Sequence, residues 1–416
     1  MTRRTRRAWR IDPLAIGMAF IGLVMVWIAV ASALYSPEYV RRVLAWRESD
    51  QGDYLNHFPL RPLLASPSPY RFVDHREDDR VRAGFEHVLG IADLDEFLSE
   101  RATQAFIVIQ GHRVLYEHYF NGAERDSMLT SFSVAKSFDS ALVGLAIDEG
   151  HIRSVDDAVT DYLPELGERD ERFGEITIRD LLQMSSGLGY DANRWALFNG
   201  DDPLTTYYPD QRELALERTH IIDAPGSSFS YNKYHPQLLG LILERTTAMS
   251  VTAYTQTRLW DRLGMEFDGA WALDSDTSGF EKMEAGLNAR AIDYAKLGIL
   301  YRDGGAWNGD RVLSRDWIEE STSPDPERDR AAYYRGDFGR VVFAGGKGYY
   351  GYMWYGRLRP GGPPDFAAEG DHGQFIYVSP AHDLVIVRNG TRYGMPTAEW
   401  INTFYEFADQ FADGPT

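Results

Sequence analysis

Hydrophobic and polar positions change period several times along the chain, and each change predicts an element. Pro13 to Tyr35 (PLAIGMAFIGLVMVWIAVASALY) is a 23-residue stretch without a charge. It is long enough for a bilayer-spanning helix and longer than the apolar region of a cleavable signal peptide. The pattern then breaks. Pro59, Pro62, Pro67 and Pro69 punctuate the next stretch, and Ala65 to Pro69 (ASPSP) has loop composition, so residues 36–94 read as a juxtamembrane connector. Near its end, Ile91 to Ala102 places Leu94, Phe97 and Leu98 at helical spacing. Ala105 to Phe120 (AFIVIQGHRVLYEHYF) switches to two β-rich runs around a Gly-His turn, a hairpin pattern. The apolar run after Ser133 is helical and stops at Gly150, where a C-cap glycine belongs.

From about 150 to 340 the pattern is mainly helices and loops, with helices expected over Thr177–Met184, Pro236–Thr247, Asn288–Gly304 and Ser314–Thr322. Strand patterns return at Gly348–Leu358, Gln374–Pro380 and Asp383–Gly390, and Ala398–Ala412 is a closing amphipathic helix. Strands at both ends of a helical middle predict an α/β (α+β) domain over 95–416. Its antiparallel sheet is closed by the two ends of the domain, flanked by helices, and carries a large helical insert at about 150–340.

Charge sharpens the picture of the N-terminus. The formal net charge is −19, but Met1 to Arg10 hold five arginines (Arg3, Arg4, Arg6, Arg7, Arg10) and no acid, so the rest carries −19 − 5 = −24. A body that acidic repels phosphate backbones and excludes a nucleic-acid partner. Arginines ahead of the apolar stretch keep the tip, within residues 1–35, cytoplasmic and put the body on the periplasmic side, with the lipid bilayer as partner of residues 13–35. The competing reading is secretion after cleavage, since Ala29 to Ala33 (AVASA) offers small-residue sites and TRRAWR is loosely similar to a twin-arginine signal. The chain has no cysteine, which excludes disulfides, thiolate catalysis and cysteine-ligated metals. No His-x-x-x-His pair supports another metal site, and no cofactor is implied.

Candidate chemistry begins at Ser133-Val-Ala-Lys136, at the mouth of the helix that ends at Gly150. Lysine is scarce here (Lys136, Lys233, Lys282, Lys296, Lys347). If Ser133 opens the helix, Lys136 lies one turn on along the same face, and backbone N–H groups point at the hydroxyl. That suits a serine nucleophile with an unprotonated lysine as base. A free lysine titrates near 10.4, so the base role requires a drop of roughly three units, about 4 kcal/mol, from burial or neighbouring cations. The plain alternative is an N-cap serine beside a surface lysine. A second stretch, Ala224 to Glu244 (APGSSFSYNKYHPQLLGLILE), sets Tyr231 in a loop before an apolar helix, able to carry a proton or simply to fill a core. A third, Glu369 to Pro380 (EGDHGQFIYVSP), puts glycines before a strand, where backbone can approach a ligand closely.

In this order and spacing, the three stretches resemble the serine β-lactamase and penicillin-binding-protein superfamily, most closely its class C-like esterase and amidase branch. Gly279 to Gly298 looks like exported serine hydrolases compared with 6-aminohexanoate-dimer hydrolase. The resemblance covers about residues 95–410. It implies a β-lactamase-like fold, Ser133 as nucleophile, Lys136 as base, Tyr231 as proton relay, and an oxyanion hole from the N–H groups of Ser133 and Gln374. Asn232, Lys233, Asp371, His372 and Gly373 become substrate-binding candidates. Two departures stand out. Lysine 233 occupies the third position of the tyrosine motif, where asparagine is usual, so Asn232 or Lys233 supplies that contact, and Lys233 is placed to depress the basicity of Lys136 by like charge. Asp371 leads the late glycine motif where Lys or His is usual, which disfavours substrates with a carboxylate. The expected substrates are neutral esters, amides or short peptides. A peptidoglycan-directed D-amino-acid peptidase, carboxypeptidase or β-lactamase, and a non-hydrolytic penicillin-binding-type sensor, are the alternatives.

Overall fold

A computed structural model describes residues 13–45, 53–196, 200–328, 332–334 and 347–412. Its frame is an eight-stranded sheet formed, in chain order, by β1 (Val73–Asp74), β2 (Thr103–Gln110), β3 (Arg113–Tyr119), β4 (Gly348–Tyr350), β5 (Tyr355–Arg357), β6 (Asp365–Gly370), β7 (Gln374–Ser379) and β8 (Leu384–Gly390). The spatial order is β4-β5-β6-β7-β8-β2-β3-β1. All neighbours are antiparallel except β1 and β3, which are parallel. The first hairpin and the last strands therefore share one sheet through the β8–β2 pairing, with Ile386 opposite Val108.

Central strands are buried on both faces, which is why they read as continuous apolar runs rather than alternating ones. On β2, Ala105, Ile107 and Ile109 enter one core while Phe106 and Val108 enter the other. The second core is closed by the helices Asp78–Leu89, Leu94–Glu100 and Thr397–Ala412, with Phe85 stacked on Phe407 at 3.8 Å. The first core lies between the sheet and the helical insert. Helices Ala135–Asp148, Tyr234–Thr247 and Ala291–Arg302 are its main elements. Helix Tyr234–Thr247 packs on Ala135–Asp148, and Ala291–Arg302 packs on β7 and β8.

The insert is less purely helical than its pattern suggests. Short strands Leu129–Thr130, Gly269–Ala272 and Leu287–Ala289 join Leu60–Leu63 in a second, four-stranded sheet. Each is two to four residues long, too short to show a period. Leu60–Leu63 belongs to the expected connector and pairs with Gly269–Ala272 from Leu60↔Ala272 to Leu63↔Gly269. Helix Pro37–Ala45 likewise buries Tyr39, Val40, Arg42 and Val43. The connector is thus built into the body along much of its length.

Helix Pro13–Tyr35 precedes it. Its segment Ile16–Tyr35 is long and apolar enough to cross a membrane, and Leu14, Phe20 and Leu23 lie largely exposed. A signal sequence and a membrane anchor both meet that description.

Candidate active site

Strand Leu129–Thr130 delivers the chain to Ser133. It is fixed by Thr130 Oγ1 donating to Asn288 Oδ1 at 2.7 Å and by the Tyr294 hydroxyl donating to Leu129 O at 2.7 Å. A 3-10 turn, Phe132–Val134, then leads into helix Ala135–Asp148. Phe132 is buried in the left-handed region at φ 45°, a conformation that costs a non-glycine residue about 1–3 kcal/mol and persists only where packing holds it. Tyr54 meets its ring edge-on at 5.5 Å, and His372 stacks on it at 4.8 Å.

Lys136 is buried, with Nζ 3.0 Å from Ser133 Oγ and 2.6 Å from Glu284 O. Among the described residues no carboxylate lies within ion-pair distance of that nitrogen. An amine so placed can take the hydroxyl proton. The Tyr231 ring centroid lies 5.1 Å from Nζ. Ser133, Lys136 and Tyr231, 98 residues apart in sequence at their extremes (231 − 133), therefore meet at one point.

Three groups the sequence reading passed over surround this point. Asp139, one turn beyond Lys136, is fully buried, and among the described residues neither of its carboxyl oxygens has a hydrogen-bond partner. Burial pushes its carboxyl well above the ordinary range against the pull of Lys136, and Glu284 adds to the rise. The Glu284 carboxylate is held by Lys282 Nζ at 2.6 Å, which also donates to Thr206 O at 2.8 Å. Glu369 accepts from Thr397 Oγ1 at 2.9 Å, and burial is the main cause that pushes its carboxyl up to about 7. The available signals were an acid inside an apolar helical run (Asp139) and another of the five lysines (Lys282).

The middle motif divides its work. Asn232 Oδ1 accepts from Tyr234 N at 2.8 Å in the turn that leads into helix Tyr234–Thr247, and Asn232 Nδ2 donates to Leu188 O at 3.3 Å. Lys233 Nζ lies 3.0 Å from Asp202 Oδ1 and 2.9 Å from Thr206 Oγ1. The expectation that Lys233 acts on Lys136 by like charge loses its basis, because Asp202 matches that charge at contact distance.

The late motif is built around Gly370. β6 pairs with β5 only through Ala367 (Tyr355↔Ala367) and runs on to Gly370, so among the described residues Ala368–Gly370 have no strand partner on that side. A Cβ at Gly370 would fall 2.4 Å from Ser131 O and 3.1 Å from Ser133 N; only glycine permits that approach. Gln374 opens β7 opposite Gly370 of β6, and the pairing of β7 with β8 begins one residue later, at Phe375↔Arg388. The Gln374 side chain is committed, with Nε2 donating to Gly390 O at 2.7 Å and Asp371 O at 3.1 Å. The late-motif backbone that lies against Ser131 O and Ser133 N is that of Gly370, and Gln374 pairs opposite it. Asp371 pairs with Arg194 at 3.1 Å. Burial raises its carboxyl, and the charges of His372 and Arg194 outweigh this, leaving it below the usual carboxylate range. His372, at φ 61°, holds the Phe132 stack. Gly373 O accepts from Arg388 Nη1 at 2.5 Å, where a Cβ on Gly373 would collide with that guanidinium.

A family model described as Beta-lactamase matches residues 92–399. The chain belongs to the beta-lactamase family. Among relatives in this family, the 6-aminohexanoate-dimer hydrolase of Paenarthrobacter ureafaciens is 28% identical over 325 residues, covering 74% of this chain and 78% of the relative. A Bacillus anthracis structure provisionally named as a 6-aminohexanoate-dimer hydrolase superposes with a TM-score of 0.70 at 22% identity, over 88% of this chain and 95% of that one. A class C beta-lactamase superposes at 0.58 with 14% identity, over 80% and 98%. These two likenesses establish the fold. As a beta-lactamase-family protein, the chain is a serine hydrolase of the esterase and amidase kind.

Proposed function

We propose that Ser133 attacks an ester or amide carbonyl while Lys136 removes its proton, and that Tyr231 passes the proton to the leaving group. Water then releases the acyl-enzyme. The observation that carries this reading is the buried Lys136 amine 3.0 Å from Ser133 Oγ, with a backbone carbonyl rather than a carboxylate as its other contact. We assign the developing oxyanion to the N–H of Ser133 and to a backbone N–H on the Gly370–Asp371 end of the β6 edge.

The charge pattern supports a neutral carbonyl substrate. Lys233 is matched by Asp202 and Arg194 by Asp371, so the cations on these rims are already balanced for an incoming carboxylate. The name of the Paenarthrobacter ureafaciens relative supports an amide as one substrate class. Helix Pro13–Tyr35 is proposed as an uncleaved anchor that leaves the hydrolase domain on the extracytoplasmic side, supported by its length and its exposed apolar side chains.

Steady-state turnover of short p-nitrophenyl esters and amides, beside a reporter penicillin, tests the proposal. Sustained ester or amide turnover with slow penicillin acylation is expected. Rapid penicillin acylation would favour the peptidase or β-lactamase alternative, and a burst followed by stalling would favour the sensor.

A further inference from the structure

The family match begins at residue 92, yet residues that adjoin the Ser133–Lys136 pair are contacted by side chains from upstream. Tyr54, in the single helical turn Asp53–His57, is 1% exposed, and Phe58 is 6% exposed. The two rings stack at 5.3 Å. Tyr54 meets Phe132 edge-on, at 5.5 Å and 83°, and Phe132 is the left-handed residue directly before Ser133. Lys282 Nζ lies 4.7 Å from the Phe58 ring centroid and 5.6 Å from that of Tyr54, and the same nitrogen holds Glu284 Oε1. The carbonyl of Glu284 is the one that accepts from Lys136. On its outer side Phe58 takes the Arg42 guanidinium at 5.0 Å, and Arg42 donates to Tyr207 O at 3.1 Å.

Two lines of contact therefore leave these rings. One runs through Phe132 to Ser133. The other runs through Lys282 and Glu284 to Lys136. We propose that Tyr54 and Phe58 are positioning residues of the Ser133–Lys136 centre, supplied by the segment between the apolar helix and the family domain. The inference rests on the nucleophile reading given above and adds that the centre is incomplete without this upstream segment.

Phe132 is held in a balance. A left-handed phenylalanine relaxes toward ordinary backbone geometry unless its ring is gripped from both sides, and here the grips are His372 and Tyr54. Truncating Tyr54 empties one side. The turn then shifts and carries Ser133 Oγ away from Lys136, and a displacement of about 1 Å at a reacting atom lowers rates by about a hundredfold. On the second line, the two ring faces attract the Lys282 ammonium and help fix the turn whose carbonyl orients Lys136.

The test uses the full-length, detergent-solubilised protein and reads kcat, KM and the rate of fluorophosphonate labelling per folded molecule. Labelling of the wild type that is lost in Ser133→Ala establishes the nucleophile reading independently. Tyr54→Ala is expected to lower kcat and the labelling rate by about 10- to 100-fold, with KM changed by less than about threefold. Tyr54→Phe, which keeps the ring, is expected to restore both. Should Tyr54→Ala fold poorly, Tyr54→Leu fills most of the volume without the aromatic edge and is expected to show the same kcat loss. Retention of kcat in folded Tyr54→Ala or Tyr54→Leu, or a Tyr54→Phe variant as impaired as Tyr54→Ala, would overturn the inference while leaving the nucleophile reading intact. Absence of labelling in the wild type would overturn both.

Discussion

Lys136 and Lys296 are equally inaccessible to solvent, but their surroundings give them opposite characters. Lys296, in helix Ala291–Arg302, lies 3.0 Å from Asp293 Oδ1 and donates to Gly264 O at 2.6 Å. Asp293 in turn accepts from Glu266 N at 2.8 Å and Phe267 N at 3.1 Å. That cation is a strut tying a helix to a loop. Lys136 meets a hydroxyl and a carbonyl, and the nearby acid on its own helix, Asp139, makes no hydrogen bond among the described residues. Burial alone does not separate a structural lysine from a reactive one. A counter-ion at contact distance does.

A paired substitution separates the two lysines most strongly. Lys136→Met is expected to lower kcat by about a thousandfold, within the usual range for a lost general base, while the melting temperature stays near that of the wild type. Lys296→Met is expected to do the reverse. It strands the buried Asp293 carboxylate and lowers stability by about 3–5 kcal/mol, with kcat per folded molecule within about threefold of wild type. Parallel activity assays and thermal melts read both, and a large kcat loss in folded Lys296→Met would end the distinction.

A smaller effect sharpens it. The Asp139 carboxyl is raised in the folded protein, chiefly by burial, so the folded state binds its proton more tightly than the unfolded state does. Its contribution to stability is complete below the ordinary aspartate value of about 3.9 and is lost as pH rises through the folded value. Asp139→Asn cannot titrate. Its melting temperature is therefore expected to match wild type near pH 4 and to exceed it by a few degrees as pH rises to about 7. A difference independent of pH would show that Asp139 is charged throughout.

Much of this was legible in the sequence, for identifiable reasons. The hairpin at 105–120, the apolar runs of β7 and β8, and the amphipathic closing helix are long enough to show their periods, and the structure has all of them. Ser133, Lys136 and Tyr231 are brought together; the helix start suggests the first two, and the family resemblance implies the third. What escaped depends on contacts that have no local pattern. β6 is six residues of mixed character (DFAAEG), so the close approach of its Gly370 to Ser133 N had no local pattern to announce it. The pairing of Lys233 with Asp202 joins the start of helix Tyr234–Thr247 to the first turn of helix Asp201–Tyr207, 31 positions away (233 − 202). Proline-rich composition between 59 and 69 suggested a free connector, although proline is tolerated in an edge strand such as Leu60–Leu63. Tyr54 and Phe58 lay in that supposed linker.

The central claim is that Ser133 is the acylated residue and that Lys136 activates it. Fluorophosphonate treatment of the intact protein, followed by peptide mass spectrometry, measures this directly. The account predicts a single adduct on the peptide carrying Ser133, absent in Ser133→Ala and formed far more slowly in Lys136→Met. An adduct on another serine, or labelling of Ser133 at an unchanged rate in Lys136→Met, would contradict it.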